Sequence, residues 1–134
     1  MKRFLVIALL FTACRTVGVS HEPGGYAEIS AAVAAEMILD SQQVVVLDVR
    51  PEAEYRGPVG HIAGSFNAPF ERIEQQLPEL LPYQNQTVLV YGETSTDGAV
   101  AAKLLTVAGF RNVVHIDGGI RSWIDHGFRT VNAQ

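Results

Sequence analysis

The sequence predicts an α/β domain built on a parallel sheet. Two apolar runs rich in β-branched residues, Val44-Val45-Val46-Leu47 and Thr87-Val88-Leu89-Val90-Tyr91, are continuous rather than alternating, as expected of strands buried on both faces. Segments of helical character separate the runs, and strands alternating with helices favour parallel crossover connections. A chain of 134 residues, 48% hydrophobic and 18% charged, suits one compact domain.

Taken in order, Ser30 is an N-cap for a helix over Ala31 to Leu39, with Val33, Met37 and Ile38 on one side and Asp40-Ser41 ending it. The strand Val44 to Leu47 follows, with Asp48 at its carboxyl end. Beyond a loop rich in Pro and Gly, Phe66-Asn67-Ala68 is a short strand, and Phe70 to Leu77 a short helix closed by Pro78. Thr87 to Tyr91 is the second clear buried strand. Gly98 to Ala108 reads as a helix that turns Val100, Leu104, Leu105 and Val107 toward the sheet, with Gly109 in the C′ position. Val113 to Ile116 is the next strand, and Asp117-Gly118-Gly119 turns into a last helix, Ile120 to His126, capped by Gly127. Ligands of parallel sheets sit beyond the carboxyl ends of the strands, so the loops beginning at Asp48, Gly92 and Asp117 should open on one mouth.

Composition narrows the function. A net charge of −4 with only 10 Lys and Arg residues argues against nucleic acid as a partner, because phosphate contacts need a dense basic face. The single cysteine, Cys14, excludes an intramolecular disulfide, a CxxC pair and a cysteine-rich zinc site.

The N-terminus is a different kind of sequence. Lys2 and Arg3 precede the apolar run Phe4 to Phe11, and Thr12-Ala13 leads into Cys14, the layout of a secretory signal. The run is too short for a bilayer span, which takes roughly 20 apolar residues in a helix. Leu10 to Cys14 is similar to a bacterial lipobox, with Phe11 in the place where that pattern prefers an aliphatic residue. The resemblance implies cleavage before Cys14 and lipidation of its thiol. Losing Lys2 and Arg3, and no acidic residue, takes the net charge from −4 to −6. The expected organisation is a signal peptide at 1–13, a lipid-attachment cysteine and flexible tether at 14–27, and a folded domain at 28–132.

Within that domain, Leu47-Asp48-Val49-Arg50-Pro51, Glu54-Tyr55, Gly60-His61-Ile62-Ala63-Gly64-Ser65, and Asp117-Gly118-Gly119-Ile120 with Trp123 and Gly127 resemble the single-domain rhodanese-like (sulfurtransferase) family in order and spacing. The resemblance implies a three-layer fold, a five-stranded parallel sheet with helices on both faces. In active members of the family the strand matching Thr87 to Tyr91 is followed by a cysteine, a glycine three residues later, and often an arginine and a serine at five and six. That loop forms a bowl of N–H groups at a helix N-terminus, which stabilises a thiolate and an incoming anion.

Here the loop reads Gly92-Glu93-Thr94-Ser95-Thr96-Asp97-Gly98. Gly92 holds the cysteine place, Ser95 that of the glycine, Asp97 that of the arginine and Gly98 that of the serine. Glycine has no side chain to carry sulfur, and Glu93 with Asp97 should repel an anionic donor. A hydroxyl of Thr94, Ser95 or Thr96 would need a positioned base; the loop has none, and His61 is the best distant one. Asp48, Glu93 and Asp97 could gather a hard cation, but solvated loop carboxylates are the plainer reading, and no metal or cofactor is expected. A tether from Cys14 spans roughly 20 Å, enough to reach the bowl, but a lipidated cysteine is no nucleophile.

The binding-pocket candidates are therefore Asp48, Arg50, His61, Glu93, Ser95 and Asp97, with Asp48 and Arg50 read as braces between loops and His61 as a residue that orders its own loop. The expected function is that of a catalytically inactive rhodanese-like binding or regulatory module, lipid-anchored on the periplasmic side of a bacterial membrane. Its partner would be an envelope protein or a small ligand. The rival readings are an enzyme with residual or noncysteine chemistry, and a structural envelope component.

Overall fold

The computed structural model of the protein describes residues 20–21, 25–41 and 43–132. The expected signal peptide, Cys14 and most of the tether lie outside the described residues. The strands are Ser20–His21 (β1), Ala27–Ile29 (β2), Val44–Asp48 (β3), Phe66–Asn67 (β4), Thr87–Tyr91 (β5) and Asn112–Ile116 (β6), and the α-helices are Ala31–Asp40 (α1), Glu52–Tyr55 (α2), Ile73–Leu80 (α3), Ser95–Val107 (α4) and Gly119–Asp125 (α5). Single 3-10 turns at Phe70–Arg72 and Leu81–Tyr83 flank α3.

The sheet order is β1-β2-β6-β5-β3-β4. All pairs are parallel except β1–β2, so the expected five-stranded parallel sheet is present, extended by one antiparallel edge strand. That extension corrects the tether boundary at 27. Ser20–His21 and Ala27 belong to the sheet edge, where pairing with neighbours supplies the order that their own sequence does not advertise.

Alternation along the central strands divides the core in two. Val45, Leu47, Val88 and Val90 face α3 and α4, while Val46, Leu89 and Tyr91 face α1 and α5. Ser30 caps α1 as expected, its Oγ accepting from the Val33 N–H at 3.3 Å.

Three helices differ from expectation, the first being α2, which forms within the segment read as a loop rich in Pro and Gly. Pro78 does not close α3 but lies within it. The carbonyl that its missing N–H leaves unpaired belongs to Glu74, on the exposed side, while Ile73 and Leu80 anchor the buried side. Helix α4 begins at Ser95, three residues before the expected start, and its buried stripe is Gly98, Ala101, Ala102 and Leu105. Val107 is 81% exposed and Val100 also faces outward. Small side chains let α4 approach the sheet closely, so Gly98, Ala101 and Ala102 share the inner face with Leu105.

Truncation should read out this division. Leu89→Ala, at the buried centre of β5, should cost about 2–5 kcal/mol, and Val107→Ala should stay within about 0.5 kcal/mol of the parent, both measured by urea unfolding.

Candidate functional site

The carboxyl ends of β3, β5 and β6 meet at one mouth, and a buried ion pair sets its floor. Asp48 ends β3 with no exposed surface, and Arg50 is only 2% exposed. Arg50 Nη2 donates to Asp48 Oδ2 at 2.7 Å, and Nε lies 3.1 Å from Oδ1 and 3.2 Å from Oδ2. The Arg50 backbone N–H also donates to Oδ1, at 3.0 Å. Nη2 further reaches the Gly60 carbonyl at 2.7 Å, tying the end of β3 to the loop that precedes β4. Burial opposes the Arg50 charge, but hydrogen bonding and attraction from Asp48 outweigh it, and the guanidinium is held above its ordinary value.

Asn67 and Tyr91 extend the brace. Asn67 Nδ2 donates to the carbonyls of Asp48 and Arg50 at 3.1 and 2.9 Å, fixing β4 beside β3. The Tyr91 hydroxyl accepts from the Ile62 N–H at 3.1 Å and lies 3.3 Å from Ser65 Oγ. Burial first, then the charge and hydrogen bonding of Asp48, push its phenol far above the ordinary value of 10.0 and keep it neutral.

His61 is buried in the same loop. Its ring stacks on Tyr55 with centroids 3.7 Å apart, its Nδ1 lies 3.0 Å from the Tyr55 carbonyl, and its backbone exchanges hydrogen bonds with Val131. It orders the segment between α2 and β4, and its Nδ1 is engaged by the Tyr55 carbonyl rather than by a hydroxyl of 94–96.

The loop after β5 locks onto the start of α5. Ile120 N–H donates to the Gly92 carbonyl at 2.9 Å, and Ser95 Oγ donates to Asp117 Oδ1 at 2.5 Å while accepting from the Gly118 N–H at 2.8 Å. Gly119 has a φ of +58°, and a β-carbon there would sit 2.3 Å from the Gly92 carbonyl oxygen, so only glycine fits. Gly92 differs: its φ is not positive, and a β-carbon there would point to the Gly98 N–H at 3.1 Å and the Asp97 β-carbon at 3.3 Å. A side chain at position 92 would therefore enter the curl of the loop. Thr94 is the N-cap residue of α4 but makes no side-chain cap.

The two loop carboxylates part company. Glu93 pairs with Arg121 Nε and faces Arg50 Nη1 at 3.7 Å. It lines a pocket of about 310 Å³ between α2 and Arg121. Asp97, in the first turn of α4, lines a separate pocket of about 170 Å³ with Pro69, Phe70 and Glu71. The expectation of two uncompensated charges facing an anion is thus corrected at Glu93, which two guanidiniums neutralise. Asp48, Glu93 and Asp97 do not gather, and among the described residues no three acidic, histidine or cysteine side chains could hold a metal ion.

Two site residues escape the sequence pattern. Arg121 lies in α5, two positions after the Asp117-Gly118-Gly119 turn assigned to the mouth, so its spacing from that turn was the available signal. His115 gave none. It is fully buried in β6, its Nδ1 lies 2.9 Å from Glu28 Oε2, and its Nε2 has no hydrogen-bond partner among the described residues. A β-carbon on Gly98 would come within 2.8 Å of that Nε2, which places the imidazole directly under the loop.

Among known proteins, a family model described as Rhodanese-like domain matches residues 30–126. The rhodanese-like domain of an Anabaena sp. protein superimposes with a TM-score of 0.72 at 27% identity, covering 84% of this chain and 81% of that one. Thiosulfate sulfurtransferase from Pseudomonas aeruginosa gives a TM-score of 0.65 at 26% identity over 78% of this chain and 20% of the larger one. An uncharacterized Synechocystis protein is 27% identical over 100 residues, covering 74% of this chain and 53% of its own length. The chain thus spans about half the length of that curated relative.

Asp48→Asn should expose the cost of the floor. It leaves the Arg50 charge buried without its counter-ion, and a loss of about 3–5 kcal/mol is expected in urea unfolding. Asp48→Asn combined with Arg50→Met should recover part of that loss.

Proposed function

The chain belongs to the rhodanese-like domain family, and from that premise we propose that it is a module without cysteine-dependent sulfur transfer, which acts by binding at its mouth. The observation that carries the reading is Gly92. It occupies the position from which a side chain would enter the loop, and it brings no thiol, hydroxyl or carboxylate there. The hydroxyls nearby do not replace it: Ser95 donates its hydrogen bond to Asp117, and among the described residues no base is hydrogen-bonded to the hydroxyl of Thr94 or Thr96.

The rest of the loop supports the same reading. Asp97 stands where active relatives often carry arginine, and its β-carbon is the nearest side-chain atom to a β-carbon built at 92. A thiol placed there would feel a negative neighbour, which disfavours the thiolate. We further propose that the protein is an envelope lipoprotein, held on the periplasmic side of a bacterial membrane by acyl chains on Cys14. The support is the basic start, apolar run and lipobox-like approach to the cysteine; each buried methylene contributes about 0.8 kcal/mol to such an anchor.

Two measurements test the reading. Purified protein, as wild type and as Cys14→Ser, should form no thiocyanate from thiosulfate and cyanide; turnover on the order of 1 per second would overturn it. Gly92→Cys should restore little, and Gly92→Cys with Asp97→Arg should do better, by a margin that shrinks at high salt as the local field is screened. Intact mass spectrometry of protein isolated from membranes should show a chain beginning at an acylated Cys14. A retained Met1, or a free Cys14 thiol, would defeat the anchor.

A further inference from the structure

The 310 Å³ pocket beside the loop holds an arginine that is only partly used. Arg50 is 2% exposed, and its Nε and Nη2 are taken by Asp48 and the Gly60 carbonyl. Among the described residues no hydrogen bond reaches its Nη1, which faces the Glu93 carboxylate at 3.7 Å, and Arg50 and Glu93 both line the pocket. Across the pocket, Arg121 is 63% exposed and is engaged by the same carboxylate. One glutamate thus sits between two guanidiniums, one rigid and short of a hydrogen bond, the other mobile enough to rearrange.

We propose that this pocket binds a small organic monocarboxylate, whose carboxylate bonds Arg50 Nη1 and Arg121 in place of Glu93. The inference rests on the binding reading above and names the ligand class for the same mouth. Glu93 is one-third exposed and pairs with a largely exposed arginine, so it is held weakly and can swing into solvent. Arg50 cannot follow it, because Asp48 and Gly60 fix the guanidinium before any ligand arrives. A preordered donor costs the ligand little organisation. Beside the arginines the wall is apolar, formed by Ala53, Pro58 and Val59, the last 39% exposed, and it suits a short hydrocarbon tail. Glu54 also lines the pocket, so a second carboxylate on the ligand would meet a like charge. A free amine would find both guanidiniums in its way.

Calorimetric titration of the full-length protein with butanoate tests the site, with succinate and butan-1-amine as charge controls. Butanoate should bind weakly to wild type, and the binding should weaken further with salt. Glu93→Gln removes the competing internal anion and should tighten binding by about twofold to fivefold, the scale of an exposed ion pair. Arg121→Gln should weaken it by a similar factor, and Glu79→Gln, on the exposed side of α3, should leave it unchanged. Succinate and the amine should bind less well than butanoate. The proposal is overturned if folded Glu93→Gln, checked by circular dichroism, takes up no butanoate, if Glu93→Gln weakens binding as Arg121→Gln does, or if the amine is preferred. Thiosulfate turnover in the same samples reports separately on the noncatalytic reading, so the two can fail independently.

Discussion

The buried pairing of Asp48 with Arg50 is the constraint on which the mouth depends. Taking two charges out of water is costly, and the return is adequate only where geometry is good and the remaining donors are satisfied. Here Asp48 receives three contacts from the guanidinium and one from the Arg50 backbone N–H, and Arg50 sends a further bond to Gly60. The pair therefore does more than neutralise itself. It fixes the end of β3, holds the loop before β4 and leaves one edge of a guanidinium facing a pocket. Tyr91 and Asn67 then key to this arrangement, so the neighbouring strands inherit its position.

Around that floor, backbone proximity decides which side chains are possible. Gly119 packs its α-carbon against the Gly92 carbonyl, which brings α5 and Arg121 up to Glu93. The charge balance at the mouth is a consequence of this close approach. A loop that looks doubly acidic when read alone has Glu93 compensated once α5 is seated on it, and keeps the charge of Asp97.

The parallel sheet and its mouth were legible in the sequence because β3 and β5 are continuous β-branched runs ending in polar or glycine residues. Strand β2 was not, since Ala27-Glu28-Ile29 is too short to show a period and becomes a strand through pairing with β6. The start of α4 was hidden for a related reason: Ser95, Thr96 and Asp97 are residues that favour loops and helix ends alike. Its inner face was read rightly at Leu104 and Leu105 but wrongly at Val100 and Val107, where bulk was taken for burial, whereas Gly98, Ala101 and Ala102 face the sheet. Asp48, Arg50 and His61 could be placed from their positions in the loops. The partner of Glu93 could not, because its pairing with Arg121 joins residues 28 positions apart through tertiary packing alone.

The imidazole beneath the loop sharpens what separates this site from a thiol-bearing one. Position 92 admits a β-carbon with a shift of a few tenths of an ångström, since its closest neighbour would be the Gly98 N–H at 3.1 Å. Position 98 does not, because a β-carbon there would meet His115 Nε2 and Cδ2 at 2.8 and 2.9 Å and the Gly92 N–H at 3.0 Å. His115 cannot easily retreat, being buried, bonded to Glu28 and packed edge-on against Tyr26. A nucleophile can thus be returned to the rim of the loop without rebuilding its base, whereas a serine at 98, the residue active relatives often carry there, requires the floor to move as well. The loop and β6 form one packing unit, and the chemistry open to position 92 is limited by a histidine that never reaches the surface.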